Sequence, residues 1–319
     1  MTLLNKVRSS STARSLHWAA LLMLLLAPVA MAEEAPDPEQ LKLASVSAAV
    51  APIGAETPLY TKRADWSMPI ASVTKLMTGL VVLESGASLD EWLTVEERHF
   101  PPAANAFSRL RPESEAQRGD LLRIALMSSE NYAAYLLARH HPEGYDAFIE
   151  AMNEKARSLG MTRTRFVDSS GLSDDNVSSA GDLLKLVQAA YGNETLKELS
   201  ANGRHSVRFR NPGYTLHFGN TNPLVHSGRW DVDLTKTGYL TAAGRCLVMV
   251  TEMNGEPTAV VLLNSFGTRT PLGDAGRIRR WIENGTASTV AQAALRYEQE
   301  TAERLSGQQV AESGAAQSP

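Results

Sequence analysis

Two short apolar runs, "LASVSAAVAPIG" (43–54) and "TPLYTKRADW" (57–66), lie on either side of a turn at Gly54 and predict a pair of strands. The period then changes. Across "PIASVTKLMTGLVVLES" (69–85), Val73, Leu76, Met77, Leu80, Val81 and Leu83 cover most sides of a helix, which marks it as central to the fold. Residues 85–120 are irregular, with "SLDEWLTV" strand-like and "PPAANAFSRLRPES" a loop. "GDLLRIALMSSENYAAYLLARHH" (119–141) reads as two helical pieces broken near Ser128–Ser129. Another helix covers 144–160 and is closed by Gly160, where a left-handed cap favours glycine. Ser179 and Asp182 form an N-cap pairing ahead of "LLKLVQAAYG".

The C-terminal third returns to strands. "VDLTKTGYL", "RCLVMVTEM" and "TAVVLLNS" are separated by short Gly-bearing links and predict an antiparallel meander, closed by a helix around "GDAGRIRRWIEN". Strands at both ends with helices between them imply an α+β fold. Its antiparallel sheet is built from N- and C-terminal strands flanked by helices, and a helical lobe of about 85–225 is inserted into it. No internal repeat interrupts this domain, which covers residues 40–285.

Both ends differ in character. Lys6, Arg8 and Arg14 precede the apolar segment "WAALLMLLLAPVAMA", and Ala30-Met31-Ala32 is a small-x-small cleavage site. This is the pattern of an export signal, residues 1–32, cleaved after Ala32. Its apolar run is shorter than the roughly 20 residues a bilayer span requires. A Pro/Glu-rich leader (33–39) follows. At the other end, residues 286–319 are rich in Ala, Gln, Glu and Ser, and Glu298, Glu300 and Glu303 break any apolar face. A basic membrane-surface helix is excluded there. The expectation is a short helix, then a disordered end, with no membrane anchor and a soluble product in the exported space.

Composition narrows the partners. The chain is 43% hydrophobic and 21% charged, enough for a sizeable core. Loss of the three signal-peptide cations takes the formal net charge from −4 to −7, so nothing favours nucleic acid. Cys246 is the single cysteine and sits in a strand-like run, so no internal disulfide is expected. The seven histidines include no H-E-x-x-H and no Cys/His cluster, and there is no G-x-S-x-G elbow, P-loop or dinucleotide fingerprint. No metal or cofactor is expected. Trp66 and Trp92 are read as packing residues, and the oligomeric state is left open.

Against this background the first helix carries an anomaly: Ser72 and Lys75, three apart and therefore on one face. A serine hydroxyl is a poor nucleophile until a neighbour accepts its proton. A lysine serves only if its pKa is drawn towards neutrality by desolvation or by a second cation. Chance supplies S-x-x-K motifs in a chain of this length, and a snorkelling lysine is the bland alternative. Lys236-Thr237-Gly238 on a predicted strand adds the second cation, with Lys236 and Gly238 on one face and Thr237 on the other. Gly238 lets another backbone approach closely. Ser129-Glu130-Asn131 lies at the break between two helices, where a hydroxyl and an amide turn into a cleft. Ser200-Ala201-Asn202 repeats S-x-N, but without the helix–break–helix flanks.

S-x-x-K, S-x-N and K-T-G, in this order, resemble the active-site serine penicillin-binding proteins and serine β-lactamases. "YTKRADWSMPIASVTKLMTGLVVLES", "LMSSENYAAYLLA", "GLSDDNVSSAGDLLKLV", "NTNPLV" and "LTKTGYLTAAGRCLVMV" are similar to the low-molecular-mass D-alanyl-D-alanine peptidases. The flanks of "SSEN" and "TKTGY" are most similar to the small exported D,D-endopeptidase branch. The resemblance implies a β-lactamase/D,D-transpeptidase-like fold and a serine D-alanyl-D-alanine peptidase. Its substrate would be peptidoglycan cross-links, with β-lactam antibiotics as acylating inhibitors. Residue by residue it implies Ser72 as nucleophile, Lys75 as its base and Ser129 as a proton relay. Asn131 would position substrate, and Lys236, Thr237, Gly238 and Tyr239 would bind it. The backbone N–H groups of Ser72 and Tyr239 would form the oxyanion hole.

Departures from the pattern restrict the reading. The larger carboxypeptidases of the family carry a second β-rich domain and an amphipathic anchor, and here a short polar tail follows residue 285. "ELSAN" (198–202) mimics the deacylating loop of a class A β-lactamase but lacks its leucine before the asparagine. A D,D-carboxypeptidase is the nearest rival function. A β-lactamase and a non-catalytic wall-binding protein stand further off.

Overall fold

The computed structural model describes residues 36–97, 107–286 and 288–315, with side chains to 307. The expected signal peptide, residues 33–35 of the leader, part of the 101–114 loop and the last four residues lie outside the described residues.

In chain order the elements are β1 (Ser47–Pro52), β2 (Tyr60–Lys62), β3 (Met68–Pro69), α1 (Lys75–Glu84), β4 (Trp92–Thr94) and β5 (Glu115–Gln117). Next come α2 (Arg118–Met127), α3 (Asn131–Arg139), α4 (Tyr145–Ser158), β6 (Val177–Ser178), α5 (Ala180–Tyr191) and α6 (Glu194–Ala201). The chain continues through β7 (Arg204–Phe209), β8 (Tyr214–Gly219), β9 (Val232–Leu240), β10 (Gly244–Met253) and β11 (Glu256–Ser265), and ends in α7 (Thr270–Asn284) and α8 (Gln292–Ala315).

The main sheet has five strands in the order β2-β1-β11-β10-β9, all antiparallel. The N-terminal hairpin thus pairs with the C-terminal meander, and the helices from α1 to α6 fall between them in sequence. Alternation along the strands buries both faces. Ala48, Val50, Leu247, Met249, Val260 and Leu262 pack with Ile278 and Trp281 of α7. Ala49, Ala51, Val248, Val250, Val261 and Leu263 join the larger core shared with α1, α2 and α5. The runs Ala48–Ala51, Leu247–Val250 and Ala259–Leu263 are unbroken apolar stretches, as strands covered on both faces require.

α1 is enclosed by α2, α3, α4 and α5, so its lack of a polar face has a direct cause. Gly79 of this helix permits close packing, since a β-carbon there would stand 2.6 Å from the Leu196 side chain of α6. Ser179 caps α5 by accepting from the Asp182 N–H, and Gly160 closes α4 with φ of +68°, both as the sequence suggests. The β7–β8 hairpin, the β4–β5 pair and α6 carry weaker signals; the strands pair with each other, and α6 is fixed by packing on β9 and α2.

The short helix expected in 286–319 is corrected: α8 runs for 24 residues. Its acidic interruption is the reason it docks. Glu298 turns inward, with a carboxylate oxygen 3.0 Å from Lys62 Nζ and 2.5 Å from an Arg63 nitrogen. Tyr297 donates to Asn264 at 2.7 Å. Among the described residues no helix is long and apolar enough to cross a membrane.

Candidate active site

Ser72 lies in a single tight turn, Ala71–Thr74, that feeds directly into α1. The turn begins with Ala71 at φ +48°, a left-handed conformation that alanine adopts only when its surroundings enforce it. Two glycines supply that enforcement. A β-carbon on Gly171, which has φ of +79°, would stand 2.0 Å from the Ala71 carbonyl oxygen and 2.9 Å from Ser72 N. A β-carbon on Gly238 would stand 3.0 Å from the Ile70 oxygen and 3.2 Å from Ser72 N. The backbone bearing Ser72 is therefore clamped between a loop and the edge strand β9. Gly238 acts as its strand context implies. Gly171, inside "GLSDDNVSS", belongs to none of the three motifs, although a glycine after paired serines is its sequence trace.

Lys75 opens α1 and is fully buried. Its Nζ donates to Ser72 Oγ at 3.0 Å, to Asn131 Oδ1 at 2.7 Å, and to the Ser170 carbonyl. One turn later Thr78 donates to the Ser169 carbonyl at 2.6 Å, so the helix and the 169–171 loop are stitched together. Burial pulls the Lys75 amine down to about 7, while the carboxylates of Asp168 and Glu130 act in the opposite direction. Ser72 thus faces an amine that is substantially unprotonated at neutral pH.

The S-x-N segment forms the corner between α2 and α3. Ser129 takes φ of +59° and Glu130 caps α3, its carboxylate accepting from the Tyr132 N–H at 3.1 Å. This sharp corner sends Asn131 towards Lys75 and leaves Ser129 on the wall of the cleft. The competing Ser200-Ala201-Asn202 lies elsewhere: Ser200 is buried under β9, where its hydroxyl accepts from the Thr235 N–H at 3.3 Å. Glu198 is an exposed residue paired with Arg123 at 2.9 Å.

β9 is the edge of the main sheet, so alternate backbone groups point away from β10. Lys236 and Gly238 turn inward and Thr237 outward, as alternation requires. Lys236 is buried, and its Nζ donates to the Thr237 carbonyl at 2.8 Å. The Thr237 hydroxyl lies 2.6 Å from that of Thr221, in the "NTNPLV" segment. Tyr239 is about half exposed, with the Arg245 guanidinium 3.9 Å from its ring centroid.

One expectation about these lysines is corrected in its detail. The sequence casts Lys236 as the cation that depresses Lys75, but desolvation is the leading cause at Lys75. Repulsion is felt at Lys236, whose amine lies well below its ordinary range through burial first and the Lys75 charge second. Two ammonium groups in one dry pocket disfavour double protonation, and the pair holds a single proton more readily than two.

Ser72, Ser129, Asn131, Thr237, Gly238 and Tyr239 line one cleft of about 300 Å³, with both lysines beneath them. All eight residues singled out by motif converge here, from a helix start, a helix corner and a sheet edge. Cys246 is buried in β10, where desolvation raises its thiol to about 11. Trp66 packs beneath Arg63, whereas Trp92 is partly exposed with Arg210 over its ring. Among the described residues no cluster of three or more His, Cys, Asp or Glu side chains could hold a metal ion.

Comparison with known proteins places this geometry. Residues 31–267 match the model of the D-alanyl-D-alanine carboxypeptidase family. The chain is 45% identical to a D-alanyl-D-alanine endopeptidase of Escherichia coli over 289 residues, 90% of this chain and 93% of the relative. A D-alanyl-D-alanine endopeptidase of Pseudomonas aeruginosa is also 45% identical, over 86% of this chain and 89% of its own length. Among solved structures, the Streptomyces K15 DD-transpeptidase superposes with a TM-score of 0.71 at 28% identity, covering 76% of this chain and 98% of that one. Penicillin-binding protein D2 of Listeria monocytogenes in its ampicillin-bound form gives a TM-score of 0.64 at 29% identity, covering 75% and 96%.

Proposed function

The chain belongs to the D-alanyl-D-alanine carboxypeptidase family, and from that premise we propose that it is an exported serine D,D-endopeptidase that opens D-alanyl cross-links of peptidoglycan. The observation that carries this reading is the 3.0 Å contact between Lys75 Nζ and Ser72 Oγ, made by an amine held at about 7. Ser72 Oγ attacks the D-alanine carbonyl carbon while its proton passes to Lys75. The oxyanion is held by the backbone N–H groups of Ser72 and Tyr239. The C–N bond then breaks, and the leaving amine takes a proton relayed from Lys75 through Ser129. Water hydrolyses the resulting ester and returns Ser72 to its free form.

Asn131 holds Lys75 in place and presents its amide to the substrate. Thr237 offers its hydroxyl to the carboxylate next to the scissile bond, and the field of the buried lysine pair favours that anion. Tyr239 and Gly238 allow the substrate backbone to lie alongside the open edge of β9. β-Lactams acylate Ser72 by the same attack. They leave slowly, because the only glutamate in the β-lactamase-like "ELSAN" segment is exposed and paired with Arg123. The N-terminal signal pattern and the bacterial source of the relatives support a periplasmic location.

Endopeptidase action is preferred because the 45% identical relatives bear that name, whereas carboxypeptidase relatives stand at 26–28% identity. Labelled penicillin supplied to wild type and Ser72→Ala tests the acyl-enzyme: label in the wild type alone is expected, and equal labelling of both would refute it. Mass spectrometry of digests of defined muropeptides then separates the activities. Loss of cross-linked dimers is expected, and release of free D-alanine with dimers intact would assign a carboxypeptidase.

A further inference from the structure

The loop 168–173 touches both members of the Ser72–Lys75 pair, and one side chain shapes it. Asp168 Oδ1 accepts from the N–H groups of Ser170 at 2.6 Å and Gly171 at 2.7 Å, and from the Ser170 hydroxyl at 2.8 Å. Its Oδ2 accepts from the Ser173 N–H at 2.8 Å and from Asn176 Nδ2 at 2.9 Å. Asn176, fully buried, takes the Val167 N–H at 2.7 Å on its side-chain oxygen, and its carbonyl accepts from the Ile70 N–H at 3.1 Å. The Asp168 carboxylate therefore gathers a loop whose other contacts include Lys75, Thr78, the backbone at Ala71–Ser72 and the Ala134 carbonyl of α3.

We propose that Asp168 is a positioning residue for acyl transfer: its carboxylate folds the 168–173 loop into the shape that seats the Ser170 carbonyl on the Lys75 amine and Gly171 against the backbone carrying Ser72. The inference rests on the acyl-enzyme reading above. Six donors on one carboxylate, the Leu172 N–H at 3.4 Å included, leave the loop little freedom, since losing any of them strands a polar hydrogen beside the cleft. Placing a base within one proton transfer of a nucleophile demands such a support, because a misplacement of 1 Å costs up to about 100-fold in rate.

The same carboxylate has an electrostatic effect that a purely structural residue would lack. Lys75 is faced by Asp168 from this loop, by Glu130 from the α2–α3 corner and by Lys236 from β9; Tyr145 of α4 also faces Asp168. Asp168 favours the Lys75 ammonium, so neutralising it makes Lys75 easier to deprotonate. The pH at which acylation switches on then falls, even as misplacement of the loop slows the reaction.

The test is the second-order rate of labelled-penicillin acylation against pH for wild type, Asp168→Asn and Asp168→Glu, with thermal melting to give the folded fraction. For Asp168→Asn the expected result is a rate about 10- to 100-fold lower per folded molecule, with the acid limb displaced to lower pH. Asp168→Glu keeps the charge on a longer arm, so a rate loss with an unmoved limb is expected. It also provides the reading if the asparagine variant does not fold. Wild-type rates per folded molecule in either variant would overturn the proposal, as would an Asp168→Asn acid limb that stays in place. A wild-type protein that takes no label would instead defeat the acyl-enzyme reading, independently of Asp168.

Discussion

A β-carbon on Gly171 would stand 2.0 Å from the carbonyl oxygen of Ala71, the residue that precedes Ser72, the proposed nucleophile. No L-side chain fits there without moving the turn that carries Ser72, and the positive φ of both residues leaves the backbone no easy alternative.

Gly171→Ala is accordingly expected to cost about 3 kcal/mol or more, by summing left-handed strain and overpacking. Penicillin labelling of whatever folds should be abolished. Gly54→Ala is the control: it too has positive φ, but nothing lies within 4 Å of the added carbon. It should lose only about 1–2 kcal/mol and label normally. Urea melts and labelling of the two variants side by side decide the matter.

Acylation should show an acid limb centred near pH 7, because Lys75, the proposed base, accepts a proton only when unprotonated and its amine is held at about 7. The rate rises as pH increases through that value. The sign for stability follows from the same burial. Between about 7 and 10.5 the folded chain binds fewer protons at Lys75 than the unfolded chain, so this contribution is most favourable above 10.5 and is lost as pH falls towards 7. Stopped-flow acylation against pH measures the first effect, and a limb near 10 would show that Lys75 retains an ordinary pKa.

Thr221→Val removes the hydroxyl that lies 2.6 Å from the Thr237 hydroxyl. Thr237 then loses its orienting partner, and KM for a D-alanyl peptide should rise about three- to tenfold with kcat little changed. Steady-state kinetics on a synthetic peptide check this, and an equal loss in kcat would place Thr221 closer to the chemistry.

Glu298→Ala should loosen α8 without touching the cleft. It leaves Lys62 and Arg63 without their carboxylate, and as both are partly exposed the expected cost is about 1–3 kcal/mol. Limited proteolysis ahead of α8 should become faster while penicillin labelling persists. An unchanged melting temperature would show that the buried Ala294, Ala302 and Leu305, with the Tyr297–Asn264 bond, suffice to hold the helix.

Much of this protein was legible in its residues because the signals were local or periodic. The apolar runs in 47–52 and 232–265 announce strands of an antiparallel sheet, and the all-round apolar stretch after Ser72 announces an enclosed helix. S-x-x-K announces that its two groups lie close together, although Ser72 stands in the turn ahead of α1 rather than on the helix itself. The weaker signals failed for physical reasons. The β7–β8 hairpin and α6 are stabilised by neighbours rather than by their own pattern, and Glu298 looked like an interruption because its two cations lie some 235 positions away in sequence.

The residue types at the site and the order of the motifs were determined by the sequence itself, since hydroxyl, amine and amide chemistry belongs to side chains. Only the tertiary structure decided that Lys75 is dry, that desolvation outweighs Lys236 in lowering its pKa, and that the loop of Asp168 and Gly171 lies against the backbone of Ser72. Burial and close approach are properties of packing. They arise from segments distant in sequence, so no local pattern of residues encodes them.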